Sequence, residues 1–364
     1  MHEQSLHCAL SNVRGGLLED TMAASRVLNT MNRIFTPRLT VRLSVFGTVI
    51  GGAVLLRDYF GGAVCKSQNR IEGKTVIITG ANSGIGKETA KDLARRGGRI
   101  ILACRNEVKA EKAQREIVGE TGNQDVVVRK LDLASLKSIK EFAQKIISEE
   151  PHVDILINNA GIMRCPFWKT EDGFEMQFGV NHLGHFYLTN LLLDKMKSSA
   201  PSRIITVSSL AHTTGEIDFD NLNSESGYRT ADAYSDSKLA CVLFTHELSK
   251  KLKGTGVIAN SLHPGVVKTQ IGRHTGVHKS GFSSFILSPV FWMFVKTPKQ
   301  GAQTSIYCAV ASEVEGVSGK YFRDCTEADC HPRGRDDAVA QRLWEESARL
   351  VGLDQDGVAQ EKQS

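Results

Sequence analysis

Six short apolar runs, rich in β-branched residues, recur at residues 75–79, 100–103, 126–130, 155–158, 204–207 and 257–262. Longer amphipathic stretches begin near Gly86, Glu107, Leu136, Phe174, Ala231 and Pro298. A strand with one wet face alternates apolar and polar residues; runs apolar at nearly every position fit strands covered on both faces, as in a parallel sheet. Parallel neighbours need crossovers, and right-handed helical crossovers then give an α/β fold, a Rossmann-type doubly wound parallel sheet. The pattern predicts a single domain over residues 72–335, a C-terminal helix and tail over 336–364, a membrane-associating segment over 31–65 and a polar extension over 1–30.

Directly after the first apolar run stands Thr79-Gly80-Ala81-Asn82-Ser83-Gly84-Ile85-Gly86, a glycine-rich turn that opens the first helix. Gly80 permits the sharp turn, Gly84 lets backbone approach a pyrophosphate, and Gly86 lets helix and strand pack closely. The helix N-terminus adds partial positive charge, so a nucleotide site is expected at Asn82, Ser83, Ile85 and the three glycines. The second run ends at Arg105, where NAD-selective sites offer a carboxylate to the ribose. An arginine there attracts a 2′-phosphate instead, so NADP(H) is the expected cofactor.

Tyr234 and Lys238 stand four residues apart on one face of a predicted helix. Free tyrosine titrates near pH ~10, too high for proton exchange at neutral pH, but a neighbouring cation stabilises the phenolate. Tyr234 is therefore the expected general acid for reduction and general base for oxidation, with Lys238 as its helper.

The spacing Gly-x3-Gly-x-Gly, followed downstream by this Tyr-x3-Lys pair, resembles the short-chain dehydrogenase/reductase family over residues 73–322. That resemblance implies adenine-side contacts at Asp132 and Leu133 and a cofactor loop at Asn159, Ala160 and Gly161, in Asn158-Asn159-Ala160-Gly161. It also implies nicotinamide ribose contacts at Tyr234 and Lys238, and a carboxamide site built from Pro264, Gly265 and Thr269. Asn181 would position a water for proton relay to the lysine. Of the adjacent serines, the family pattern selects Ser209 over Ser208 as the donor to the reacting oxygen. The stretch from Ser209 to Tyr234, with acidic residues at 216–220, is longer than in many members and reads as an inserted surface loop. His182 and His185 read as packing residues. Within the family, Cys104-Arg105-Asn106, Met163-Arg164-Cys165-Pro166 and the anchored N-terminus resemble retinol dehydrogenases. This implies reduction of retinaldehyde to retinol at a membrane, that of the mitochondrial interior ahead of the endoplasmic reticulum. A homodimer is common in the family, without an independent signal in this chain.

Arg33, Arg38 and Arg42 precede the apolar run 43–56, and no acidic residue lies between Asp20 and Asp58. The run is short of the roughly 20 residues a spanning helix needs. A signal anchor, a retained Arg-rich presequence and a helix packed on the domain all remain open. Residues 280–295 are dense in aromatics, with Phe282, Phe285, Phe291, Trp292 and Phe294, and are either a core helix or a lid over a small apolar, retinoid-like substrate. The residues alone imply a hydrophobic carbonyl or alcohol, with steroids and lipid aldehydes as alternatives to a retinoid. A different class, a catalytically silent nucleotide-binding scaffold, would show a broken catalytic set, whereas Asn181, Ser209, Tyr234 and Lys238 are all present.

A net charge of +5 from 45 basic and 40 acidic residues, with no basic cluster, gives no reason to expect a nucleic-acid partner. The eight cysteines have neither paired nor metal-site spacing, and no metal is expected, Cys325, Cys330 and His331 included.

Overall fold

The computed structural model describes residues 22, 25, 26, 37–269, 271, 272 and 295–353, which fall into two compact units divided between Tyr59 and Phe60. Apart from three residues, the 1–30 extension lies outside the described residues; so does all of the 280–295 segment but Val295, and so does the tail beyond 353.

Helix α1 spans Pro37–Phe60, longer at both ends than the apolar run that marks it. Val41, Val45, Phe46, Val49, Ile50, Val54, Leu55 and Leu56 are exposed on it. Among the described residues, no helix is long and apolar enough to cross a membrane.

The second unit is built on one sheet. Its strands are β1 (Thr75–Thr79), β2 (Arg99–Cys104), β3 (Val126–Lys130), β4 (Ile155–Asn158), β5 (Ser202–Val207), β6 (Val257–Leu262), β7 (Tyr321–Arg323) and β8 (Thr326–Ala328). They lie in the order β3-β2-β1-β4-β5-β6-β7-β8, parallel except for the antiparallel β7–β8 pair. The sequence pattern marks six of these; β7 and β8, three residues each, extend the sheet beyond it. The crossovers are α2 (Gly84–Arg95), α3 (Glu107–Thr121), α4 (Leu136–Glu149), α5 (Gly184–Ser198) and α6 (Thr230–Lys251), followed by α7 (Gln303–Val310) and α8 (Asp337–Leu350).

Every residue of β1 is buried because the two-residue period of a strand sends neighbours into different cores. Ile77, Ile101, Leu156 and Ile204 enter one core with Phe142, Phe186 and Leu243. Val76, Ile78, Ile100, Leu102 and Ile157 enter the other with Leu93, Ile117 and Ile306. Helix α8 completes the first core: Trp344 meets the Phe186 ring at 4.9 Å and stacks on Phe244 at 5.9 Å. The chain departs from the middle of the sheet in opposite directions after β1 and after β4, and this reversal opens a crevice at their carboxyl ends.

Candidate active site

The crevice is assembled around Thr79, the last residue of β1. Its hydroxyl oxygen accepts the backbone N–H groups of Asn159 and Ala160, each at 2.9 Å, while the Asn159 amide donates to the Thr79 carbonyl at 2.8 Å. The glycine turn and the Asn159-Ala160-Gly161 loop are thereby one unit. Gly80 has φ +68°, and a Cβ there would lie 3.0 Å from Ala160 Cα; a Cβ on Gly86 would lie 2.9 Å from the Gly80 carbonyl oxygen. Both positions need glycine for reasons of backbone approach. A Cβ on Gly84 would meet Thr269 Cγ2 at 3.2 Å, which brings the distant carboxamide element to the same place.

These segments wall a cavity of about 490 Å³, which Arg105, Asp132 and Leu133 extend toward the β2 and β3 ends. Lys109, Ile162 and Ile271 also line it and escaped the sequence reading, since each stands just outside the motif nearest to it. Whether a dinucleotide fits can be judged from the helix ends. Asn106 caps α3 by accepting the Lys109 N–H, and Ser135 caps α4 by accepting that of Ser138. Ser83, at the N-cap of α2, makes no such bond, so the first amides of α2 are left for a ligand phosphate. Arg105 is 65% exposed and only 3.9 Å from Asp132 at its nearest approach, a guanidinium available to a further anion. The residues present fit a nicotinamide dinucleotide.

Asn181, Ser209, Tyr234 and Lys238 stand beyond the cavity wall, as do Pro264 and Gly265. Helix α6 buries Tyr234 and Lys238. The Lys238 ammonium donates to the Val207 carbonyl at 3.0 Å, lies 5.9 Å from the Tyr234 ring centre, and stands 3.7 Å from where a Gly161 Cβ would be. The serines separate cleanly. Ser208 is buried and donates to the Lys238 carbonyl at 2.8 Å. Ser209 is half-buried, and its oxygen accepts the Ala211 N–H at 3.2 Å, leaving its own proton to donate.

Asn181 sits within a single π-helical turn, Gly179–Leu183, that leads into α5. Such turns recur at functional sites. Its side chain grips Ile162, accepting its N–H at 2.9 Å and donating to its carbonyl at 3.0 Å, and also donates to Ser237 at 2.9 Å. His185 does more than pack: Nδ1 meets the Asn181 carbonyl at 3.0 Å and Nε2 the Thr79 hydroxyl at 2.9 Å. A carbonyl only accepts, so Nδ1 carries the proton and Nε2 receives that of Thr79. Burial, with the Lys238 charge beyond it, pushes the His185 pKa down to about 4 and keeps the ring neutral. His182 instead reaches Ser347 of α8 at 2.8 Å.

Gly265, at φ +84°, donates its N–H to His263 Nδ1 at 3.0 Å and shapes the turn toward Thr269. Beyond it, Lys296 bonds back to Val266 and Lys268. Gln177 and Tyr228 were likewise not legible as site residues. They hold the loop after Gly161, Gln177 accepting the Arg164 N–H at 2.6 Å and Tyr228 donating to the Cys165 carbonyl at 2.8 Å. Among the described residues, no group of three or more His, Cys, Asp or Glu side chains converges as a metal site.

Comparison with known proteins agrees with this architecture. The family model for short chain dehydrogenases matches residues 74–279. Retinol dehydrogenase 13 of Homo sapiens is 62% identical over 325 residues, covering 89% of this chain and 98% of that relative. An uncharacterized Mycobacterium paratuberculosis protein of known crystal structure is 35% identical with a TM-score of 0.64, covering 80% of this chain and 98% of its own. A Burkholderia cenocepacia gluconate 5-dehydrogenase, solved in complex with NADP and tartrate, is 25% identical with a TM-score of 0.55, covering 70% and 94%. The matched residues take in every element of the crevice, from Gly80 to Thr269, and the chain belongs to the short-chain dehydrogenase family.

Proposed function

We propose that this oxidoreductase uses NADP(H) to interconvert an apolar aldehyde or ketone and its alcohol, with reduction of retinaldehyde to retinol as its main reaction. The observation that carries the reading is an uncapped α2 N-terminus and an open Arg105 on one cavity, with the Lys238 ammonium of the Tyr234–Lys238 pair close behind Gly161 of its wall. The name borne by relatives at 62% identity supports a retinoid as the substrate. When bound, the reduced dinucleotide supplies the hydride to the carbonyl carbon. Tyr234 gives its phenolic proton to the carbonyl oxygen, and Ser209 donates a hydrogen bond to the same oxygen. Lys238, held by Val207, keeps positive charge beside the phenol and reaches the Gly161 loop where the nicotinamide ribose would lie. Asn181 fixes Ile162 and with it that loop.

Helix α1 exposes apolar side chains over most of its length, between Arg42 and Arg57, and we assign it to a membrane surface, that of the mitochondrial inner membrane ahead of the endoplasmic reticulum. An apolar substrate dissolved in lipid is then within reach of the enzyme. The test is NADPH oxidation with retinaldehyde, steroid ketones and lipid aldehydes, repeated with NADH. Retinaldehyde with NADPH is expected to give the highest kcat/KM. Equal rates with NADH would refute the cofactor assignment, and a steroid or lipid aldehyde ahead of retinaldehyde would refute the substrate.

A further inference from the structure

We infer that His212 is a positioning residue for Ser209, and that residues 331–335 near the C-terminal end of the domain clamp the turn carrying both. The inference rests on the assignment of Ser209 as the donor to the substrate oxygen. Ser209 is the N-cap of the 3-10 turn Leu210–Thr214, which ends at Gly215. His212 is 1% exposed beneath that turn. Its backbone N–H donates to the Ser209 carbonyl at 3.1 Å, and its ring Nδ1 lies 2.7 Å from the same oxygen. On the far side of the ring, Nε2 is 3.1 Å from the backbone nitrogen of His331. A backbone N–H can only donate, so Nε2 is bare and Nδ1 carries the proton that goes to Ser209.

The other end of the turn is tied to the same segment. Arg333 donates from its guanidinium to the Gly215 carbonyl at 2.9 Å. Gly215 also presses on α6: a Cβ there would lie 2.5 Å from the carbonyl oxygen of Ser235, the residue after Tyr234. Thr214 adds a hydroxyl bond to Ser235 at 3.1 Å. The serine turn is thus held between the helix that carries Tyr234 and the 331–335 segment, and its place relative to the phenol depends on both.

The groups facing the ring are Tyr321 of β7, whose hydroxyl is 3.4 Å from Nδ1, His331 on the segment, and His263 after β6, which stacks on Tyr321. Tyr321 in turn packs with Cys330 and with Val242 of α6. None of these is a carboxylate that would welcome a charged ring. Burial accordingly holds the His212 pKa below that of ordinary histidine. Protonating Nε2 would set an N–H against the His331 N–H and open the clamp. Turnover should therefore be flat at neutral pH and fall as pH drops below the usual histidine range.

The test compares full-length wild type with His212→Ala, His212→Asn, Arg333→Ala and Tyr234→Phe, measuring kcat against pH and the Kd for NADPH. His212→Ala should lower kcat about tenfold, as displacement of a reacting group does, with NADPH affinity unchanged. His212→Asn keeps a donor for Ser209 and cannot titrate. It should recover most of that kcat and lose the wild-type fall at acid pH. Arg333 is exposed, so Arg333→Ala should fold normally and lower kcat by about threefold. Full kcat in both His212→Ala and Arg333→Ala would overturn the inference. So would His212→Asn as slow as His212→Ala, or an NADPH affinity that falls in step with kcat, which marks general loosening. If Tyr234→Phe retains turnover, the reading of the site itself fails, and that outcome is distinct from failure of the His212 clamp alone.

Discussion

The two ends of the parallel strands face opposite demands. At the amino ends lies a larger cavity, about 930 Å³, bordered by Lys74, Asp154, Arg203 and Glu315. These four charges are engaged within the protein itself. Asp154 accepts from Lys74 at 2.9 Å, from the Thr75 N–H at 2.8 Å and meets His152 at 2.8 Å. Arg203 donates to the carbonyls of Cys308 and Ala311 at 3.1 and 2.9 Å. At the carboxyl ends the pattern reverses: α2 lacks its cap, Arg105 stays open, and Ser209 keeps a proton to give. Cavity size therefore does not mark the site. Unspent hydrogen-bonding capacity at the crossover reversal does.

That contrast can be broken from the amino end first. Asp154→Ala strands the buried Thr75 N–H and should cost about 2 kcal/mol of stability, read by denaturant unfolding, with kcat/KM intact in the folded protein. A matching loss of activity without loss of stability would show that this end serves the chemistry as well.

Acid sharpens the same contrast at the carboxyl side. Burial pushes His182 down to about 3 and His185 to about 4. The unfolded chain takes up these protons below the ordinary histidine pKa near 6.5, while the native state refuses them until much lower pH. Stability should therefore be fully present at pH 7 and fall as pH drops through 6 toward 4, by about 1–2 kcal/mol per histidine at pH 5. His185→Gln should flatten part of that slope, and an unchanged slope would mean the ring is not held neutral.

A further effect falls on selectivity. Arg105→Asp removes the open guanidinium and places a carboxylate near the ribose hydroxyls, and should lower the NADPH-to-NADH ratio of kcat/KM by about tenfold or more. An unchanged ratio would move the 2′-phosphate contact to another cation, with Lys109 the first to examine.

The parts legible in the sequence were those whose physics is local. The β1 run is buried at every position, and the turn after it must be glycine where it meets the backbone of Ala160 or of Gly80. Strands β7 and β8 left no such trace, because three residues carry little pattern and Thr326, Glu327 and Ala328 are polar or small and largely solvent-facing. The π turn at Asn181 and the bonds of His185 and His212 were hidden for a different reason. Their partners, Thr79 and His331, are 106 and 119 residues away, so only the fold brings them together. The choice of Ser209 over Ser208 came from family likeness; the fold adds a physical distinction, since Ser208 is committed to the Lys238 carbonyl.

The most direct measurement follows deuterium from the transferable C4 position of NADPH to retinaldehyde, in the wild type and in Tyr234→Phe, with NADPH affinity measured alongside. The account predicts label on the carbinol carbon of retinol with the wild type. For Tyr234→Phe it predicts unchanged NADPH binding and a rate lower by about 10²–10⁴-fold, the usual contribution of a positioned acid. A wild type that transfers no label, or a Tyr234→Phe protein that transfers it at the wild-type rate, would contradict the account.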